Sequence, residues 1–145
     1  MTVIPMTAQN VADLAELEQV CFSTPWSAQA LAEELDNPHA VFRVAVDTTG
    51  RVVGYVGMHH LLDEGFITNV AVSPTARRQG VAKALLAALA DYGTAHSLYR
   101  ITLEVRVGNT PAITLYEGAG YVRDGVRPGF YRNPTEDAAI YSLYF

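Results

Sequence analysis

The central stretch of the chain reads NVAVSPTARRQGVAK over residues 69–83. Its first residues are apolar and predict the end of a strand over residues 66–72, and a polar, basic loop follows. Gly80 then begins a helix rich in Ala and Leu, predicted over residues 80–96. A second strand is predicted over residues 99–107. Strand, loop, helix and strand in this order are typical of a site that binds a phosphorylated cofactor.

The loop before this helix has the features of an anion site. The first N–H groups of a helix have no partner within it, and together with the helix dipole they attract negative charge. Gly80 allows the backbone to turn tightly, and Arg77, Arg78 and Lys83 add positive charge. No Gly-Lys-Ser/Thr follows, which disfavours a nucleotide P-loop, and no dinucleotide fingerprint is present. From the residues alone, a solvated basic helix start remains an equal alternative.

Glu104 lies in the middle of the strand predicted over residues 99–107. Because side chains alternate along a strand, Glu104 shares one face with Thr102 and Arg106, and the aliphatic residues share the other. A glutamate in a buried sheet costs free energy unless it is paired or faces a water-filled cleft. Two interpretations stay open: an ion pair with Arg106 or another cation on that face, or a general base that acts directly or through water.

The next helix is predicted to begin at Thr110, as N-cap, with Pro111 in the first helical position. Tyr116 lies in this helix, and its phenol is neutral near pH 7 and can donate a proton to a departing thiolate. Packing in the core is the common alternative for a tyrosine. Asn109 either caps the helix or hydrogen-bonds a ligand, and without further context its position favours the cap.

The remaining pattern predicts an α/β fold of the mixed (α+β) kind, as a single domain over residues 1–145. Strands are predicted over residues 2–6, 41–46 and 52–61, and helices over residues 11–18 and after the N-cap Ser27. Residues 63–65 are predicted to form a turn. Two closing strands, residues 121–127 and 138–145, are predicted to pair antiparallel across the loop 128–137. The result is a mixed sheet with helices on both faces.

Composition and charge narrow the class of partner. The net charge of −5 argues against non-specific nucleic-acid binding, and the one cysteine, Cys21, excludes an internal disulfide. No apolar run is long enough for a signal peptide or a membrane span, so we expect a soluble cytoplasmic protein without a membrane partner. His59 and His60 are adjacent in a strand and face opposite sides, so no metal site is expected.

These residues resemble the GCN5-related N-acetyltransferase (GNAT) family. Residues 77–82 match its Arg/Gln-x-x-Gly-x-Gly/Ala signature, with Ala82 where many members have the second glycine. The resemblance covers nearly the whole chain and is strongest to the alanine N-acetyltransferases of ribosomal proteins, the RimI type. The segments that carry it are Pro25-Trp26-Ser27, Asn69-Val70-Ala71-Val72, Arg78-Gln79-Gly80, Leu103-Glu104-Val105-Arg106, Asn109, Ala112-Ile113-Thr114-Leu115-Tyr116-Glu117 and Glu136-Asp137-Ala138.

The resemblance implies acetyl-CoA as the co-substrate and a mixed central sheet of about seven strands. It implies Glu104 as the general base and Tyr116 as the general acid. The backbone of residues 70–72 is expected to pair with the pantetheine arm and to supply N–H donors to the oxyanion. The implied cofactor-binding residues are Val70, Ala71, Val72, Arg77, Arg78, Gln79, Gly80, Val81, Ala82, Lys83 and Asn109.

The resemblance also implies an acceptor: the α-amine of a protein N-terminus, alanine on a small-subunit ribosomal protein, reached by direct transfer without an acyl-enzyme. Trp26 and Tyr131 are expected to contact this peptide. Phe130 stands where the family usually has a tyrosine, which bears on peptide preference. A small-molecule amine, a lysine side chain and a non-catalytic acetyl-CoA-binding regulator remain alternatives. We expect a monomer or a weak dimer.

Overall fold

A computed structural model describes residues 1–145. The chain forms a seven-stranded sheet with four α-helices. The sheet order is β1-β2-β3-β4-β5-β7-β6, and every neighbouring pair is antiparallel except β4 and β5. The elements in chain order are β1 Thr2–Pro5, α1 Val11–Cys21, α2 Ala28–Glu34, β2 Ala40–Val46, β3 Val52–Leu61, β4 Glu64–Val72, α3 Val81–Ala95, β5 Arg100–Arg106, α4 Thr110–Gly118, β6 Val122–Tyr131 and β7 Glu136–Tyr144.

Local signals define the helix starts. Ser27 caps α2, since its Oγ accepts a hydrogen bond from the Ala30 N–H at 3.1 Å, as its position predicts. Gly80 precedes α3 with φ +79°, a left-handed conformation that favours glycine. The prediction of Thr110 as the N-cap of α4 is wrong, because Thr110 is already helical. The cap that the sequence favours for Asn109 is confirmed, since the Asn109 Oδ1 accepts from the Ala112 N–H at 3.3 Å. Asparagine suits the N-cap position because its side-chain carbonyl accepts a hydrogen bond from the backbone N–H three residues later.

Two strand boundaries differ from the sequence prediction. Glu64 and Gly65 belong to β4, because they pair with Leu61 and His60 of β3 across a tighter hairpin. The closing strands pair antiparallel as predicted, but β6 extends to Tyr131 and leaves a connection of residues 132–135. The last strand, β7, lies between β5 and β6, where it pairs with both.

Helices cover both faces of the sheet, as predicted. On one face, α3 and α4 pack through Leu85, Leu89 and Tyr116 onto strand residues such as Ile101 and Leu103, within a cluster of 17 buried residues. On the other face, α1 and α2 pack onto β2, β3 and β4 within a cluster of seven. No helix is both long and apolar enough to cross a membrane. The two faces therefore have separate cores, and the sheet divides them.

The sheet opens between β4 and β5. These parallel strands pair only at their starts, where residues 64–66 lie opposite residues 100–102. Just beyond, the register of β4 against β3 shifts so that Gly57 pairs with Asn69 and Met58 with Ile67, which leaves Thr68 as a β-bulge. A bulge bends its strand, and β4 and β5 no longer pair after this point. The resulting gap connects the two faces.

Candidate active site

Two cavities meet in the gap between β4 and β5. One, of about 700 Å³, extends towards the start of α3, and the other, of about 650 Å³, extends towards the α1–α2 face and the β6–β7 hairpin. The residues that line both are Cys21, Phe22, Val70, Asn109 and Ala112. A molecule that fills one cavity can therefore contact a molecule that fills the other.

The cavity towards α3, which we call the cofactor cavity, has one wall made by the end of β4. Ser73 donates its backbone N–H to the Val53 carbonyl of β3 at 2.8 Å, so the alternation of a strand turns the backbone groups of Val70 and Val72 to the open side. The Val72 carbonyl accepts from the Arg77 Nε at 3.3 Å and from no strand. The wall thus presents an unpaired strand edge to an extended ligand.

The end of the cofactor cavity is the start of α3. Arg77, Arg78, Gly80 and residues 81–83 line it, so the structure brings these predicted residues together with residues 70–72. Gln79 does not line the cavity, and its side-chain amide donates to the Thr75 carbonyl at 3.3 Å. The positive φ of Gly80 turns the chain so that α3 begins at the cavity, where its first N–H groups are free for an anion.

The other cavity, which we call the acceptor cavity, contains Glu104 and Tyr116. The Glu104 side chain is 28% exposed, and its Oε1 lies 3.4 Å from the Nε of Arg127, whose side chain is 59% exposed. Arg106 does not pair with Glu104, because its guanidinium donates to the Glu136 carboxylate at 3.2 Å. The predicted ion pair exists with a different cation, and an exposed pair of this kind holds its partners weakly.

Tyr116 is a largely buried tyrosine at the wall of the acceptor cavity. It is only 8% exposed, and burial, with a smaller contribution from Tyr131, raises its pKa to about 12. The phenol is therefore protonated throughout the neutral and mildly alkaline range. The neighbouring Tyr121 hydroxyl is fully buried without a hydrogen-bond partner, whereas Tyr116 lines the acceptor cavity. Of the two adjacent tyrosines, only Tyr116 lines this cavity.

Trp26, from the α1–α2 loop, and Tyr131, at the end of β6, both line the acceptor cavity, as predicted for residues that contact the acceptor. Tyr131 lies over the Arg106 guanidinium, with 4.5 Å between its ring centroid and the guanidinium carbon. Arg106 also donates to the backbone carbonyls of Arg132 and Pro134, each at 2.9 Å. Phe130, in contrast, is 46% exposed and does not line the cavity. Arg106 thus fixes the hairpin end that carries Tyr131.

Sequence reasoning missed a buried polar group beneath the acceptor cavity. Glu18 of α1 is 1% exposed, and its carboxylate accepts from the Tyr55 hydroxyl and from the Trp26 backbone N–H, each at 2.9 Å. Asn69 lies beside the cavity, and its Oδ1 is buried without a partner. The signal was present, because Glu18 follows Leu14 and Leu17 at the helical spacing of the apolar face.

His59 and His60 lie on opposite faces, as alternation predicts. The His59 Nε2 lies 2.8 Å from a Glu34 carboxylate oxygen of α2, and the His60 Nδ1 lies 2.7 Å from the Tyr92 hydroxyl of α3. Each histidine therefore has a hydrogen-bonding partner from the helix that covers its own face.

Comparison with known proteins gives consistent matches. The model of the acetyltransferase (GNAT) family matches residues 11–121. The [ribosomal protein bS18]-alanine N-acetyltransferase of Haemophilus ducreyi is 34% identical over 140 residues, which cover 94% of each chain. The crystal structure of the ribosomal-protein-S18-alanine N-acetyltransferase from Escherichia coli superposes with a TM-score of 0.90 at 28% identity, over 99% of this chain and 92% of that one. Arabidopsis thaliana NAA60 in complex with acetyl-CoA has the same fold, with a TM-score of 0.91 at 19% identity over 99% of each chain.

Proposed function

The chain belongs to the GNAT acetyltransferase family and is an acetyl-CoA-dependent N-acetyltransferase, and we propose that its acceptor is the α-amine of alanine at the N-terminus of a ribosomal protein. The observation that carries the proposal is the opening between β4 and β5, where Glu104 and Tyr116 line one cavity and the start of α3 lines the adjoining one. The names of the similar enzymes support the alanine acceptor.

In this proposal acetyl-CoA lies in the cofactor cavity. Its pantetheine arm pairs with the open-side backbone of Val70 and with the Val72 N–H, in the manner of an added strand, while the Val72 carbonyl accepts from Arg77 and Cys21. Its pyrophosphate binds the free N–H groups at the start of α3, and Arg78 and Lys83 add charge. Asn109 already caps α4 through its Oδ1, which leaves its amide N–H groups for the cofactor.

The reaction is a direct transfer. An α-amine has a reference pKa near 8, so a part of it is protonated at neutral pH and must lose a proton before it attacks. Glu104 accepts that proton, directly or through a water. The new C–N bond forms as the thioester carbonyl becomes an oxyanion, which the N–H groups of Val70 and Val72 stabilise, because the Ala71 N–H faces β3. The C–S bond then breaks, the nitrogen releases its remaining extra proton to water, and Tyr116 donates a hydrogen bond that stabilises the charge on the departing sulfur.

The lining of the acceptor cavity supports an acceptor peptide that enters with its N-terminal end first. Residues 22–24 and Trp26 form one side of the cavity and Tyr131 another, so the bound chain must pass between the α1–α2 loop and the β6–β7 hairpin. Cys21 lines both cavities but accepts no acetyl group in this scheme, because an amine that reaches the thioester needs no acyl-enzyme.

A panel of peptides that differ only in the first residue tests the acceptor. Wild-type chain, acetyl-CoA and each peptide are mixed, and thiol release and peptide mass are followed. We expect turnover with Ala-first peptides and little with spermidine or with peptides whose N-terminus is blocked. Turnover of small amines alone would contradict the proposal.

The role of Glu104 is tested in the same assay. Glu104→Gln keeps the shape but removes the base, and we expect kcat to fall by roughly 10²- to 10⁴-fold. Arg127→Gln is the matched control, because Arg127 pairs with Glu104 but is largely exposed, and its loss should change kcat by less than about threefold. Equal activity of Glu104→Gln and wild type would refute the base assignment.

A further inference from the structure

Glu18 is a buried carboxylate that the reaction scheme does not use. It lies on α1 and is 1% exposed, and no cation lies within ion-pairing distance of it. Taking a carboxylate out of water costs several kcal/mol unless hydrogen bonds replace its hydration. Its two oxygens have one such bond each: Oε1 accepts from the Trp26 N–H and Oε2 from the Tyr55 hydroxyl.

These two bonds join the α1–α2 loop to the sheet. Tyr55 is fully buried in β3, so its hydroxyl fixes the position of the Glu18 carboxylate from below. Trp26 belongs to the loop of residues 22–26 that closes one side of the acceptor cavity. Glu18 also lines this cavity, and its carboxylate ties the loop to α1 through the bond from the Trp26 N–H.

Stability of α1 alone does not account for a carboxylate here. Leu14 and Leu17 already bury the helix against the sheet, and an apolar side chain of similar size at position 18 would avoid the desolvation cost. An apolar side chain would, however, leave the Trp26 N–H and the Tyr55 hydroxyl without an acceptor. The carboxylate has a geometric function: it holds one backbone N–H of a loop at a defined place.

We propose that Glu18 is a positioning residue that fixes residues 23–26 at the acceptor cavity and thereby sets the affinity for the acceptor. This inference rests on the proposed function, in which that cavity holds the acceptor. Phe22 lines both cavities, but neither Glu18 nor any of residues 23–26 lines the cofactor cavity. Loss of Glu18 should therefore weaken the binding of the acceptor peptide and leave the binding of acetyl-CoA unchanged.

The experiment compares Glu18→Ala and Glu18→Asp with Leu14→Ala. Leu14 is fully buried in the same helix and core cluster but does not line either cavity, so Leu14→Ala controls for lost stability. We expect both Glu18 variants to have a higher KM for an Ala-first peptide than the wild type, by roughly tenfold in Glu18→Ala. Their KM for acetyl-CoA should stay within about twofold of the wild-type value. Leu14→Ala should lower Tm and leave both KM values within about twofold.

Hydrogen exchange provides a readout that needs no acceptor. The Trp26 N–H donates to the Glu18 carboxylate, so the amides of Ser23, Thr24 and Trp26 should exchange faster in the Glu18 variants than in Leu14→Ala at equal stability. If Glu18→Asp and Glu18→Ala match Leu14→Ala in peptide KM and in exchange, the positioning role is refuted. If the wild type acetylates no peptide, the proposed function fails, and the exchange rates alone then decide whether Glu18 holds the loop.

Discussion

Tyr116→Phe removes one hydroxyl from the acceptor cavity and keeps the ring that packs in the core. The phenol has a pKa of about 12, and a thiol has a reference pKa near 8.5, so complete transfer of the proton to a thiolate is uphill by about 5 kcal/mol. Tyr116 therefore acts mainly as a hydrogen-bond donor to the charge that develops on sulfur. Such a bond to a charged group is worth about 1.5–3 kcal/mol, which predicts a fall in kcat of roughly 10- to 100-fold.

The assay is thiol release at saturating acetyl-CoA and peptide, with KM for acetyl-CoA measured beside it and Tyr121→Phe as the matched control. Tyr121 is buried next to Tyr116, with 6.0 Å between the ring centroids, but does not line the cavity. We expect Tyr121→Phe to retain kcat within about threefold, since its hydroxyl has no partner to lose. A Tyr116→Phe variant with wild-type kcat would refute the donor role and the charge argument behind it.

The raised pKa of Tyr116 also predicts a pH dependence of stability. Its folded-state pKa of about 12 exceeds the unfolded value near 10, so the folded state retains the proton between these values. This contribution is present below pH 10 and is lost as the pH rises to 12, by up to about 3 kcal/mol. Urea titrations at pH 9 and pH 11 should show a smaller loss in Tyr116→Phe than in the wild type; parallel losses would contradict the assignment.

Three further predictions concern the cofactor loop and the hairpin. Gly80→Ala and Gly50→Ala both place a Cβ at positive φ where nothing lies within 4 Å, so each should lower the unfolding free energy by about 1–2 kcal/mol, but only Gly80→Ala should raise KM for acetyl-CoA. Asn109→Ser should keep the α4 cap, whereas Asn109→Ala should lower the unfolding free energy by about 1 kcal/mol in urea titrations. Both variants should bind acetyl-CoA more weakly, and an unchanged affinity in Asn109→Ser would refute the cofactor contact. Phe130→Tyr should leave peptide KM within about twofold, because Phe130 is outside the cavity, and a larger change would show that it contacts the peptide.

The features that the sequence predicted correctly depend on local signals. The strand β3 has the predicted bounds Val52–Leu61, because alternation and turns define both its ends. Ser27 caps α2 and Gly80 precedes α3, because each residue type has a conformational reason to stand there. The same holds for the opposite orientation of His59 and His60, which follows from strand geometry alone.

The features that the sequence did not predict depend on distant parts of the chain. The insertion of β7 between β5 and β6 and the bulge at Thr68 follow from pairing across the whole sheet, and no local pattern encodes either. Arg127, 23 positions from Glu104, becomes its ion-pair partner only because β7 brings β6 near β5. The burial of Glu18 likewise needs the α1–α2 loop to fold over its carboxylate.

The proposed acceptor is tested most directly by one peptide that carries both an N-terminal alanine and an internal lysine. After incubation with acetyl-CoA and the wild-type chain, tandem mass spectrometry locates the acetyl group. The same peptide with a blocked N-terminus serves as the control. We predict acetylation of the alanine α-amine and no reaction of the blocked peptide. Acetylation confined to the lysine side chain, in either peptide, would contradict the proposed N-terminal function.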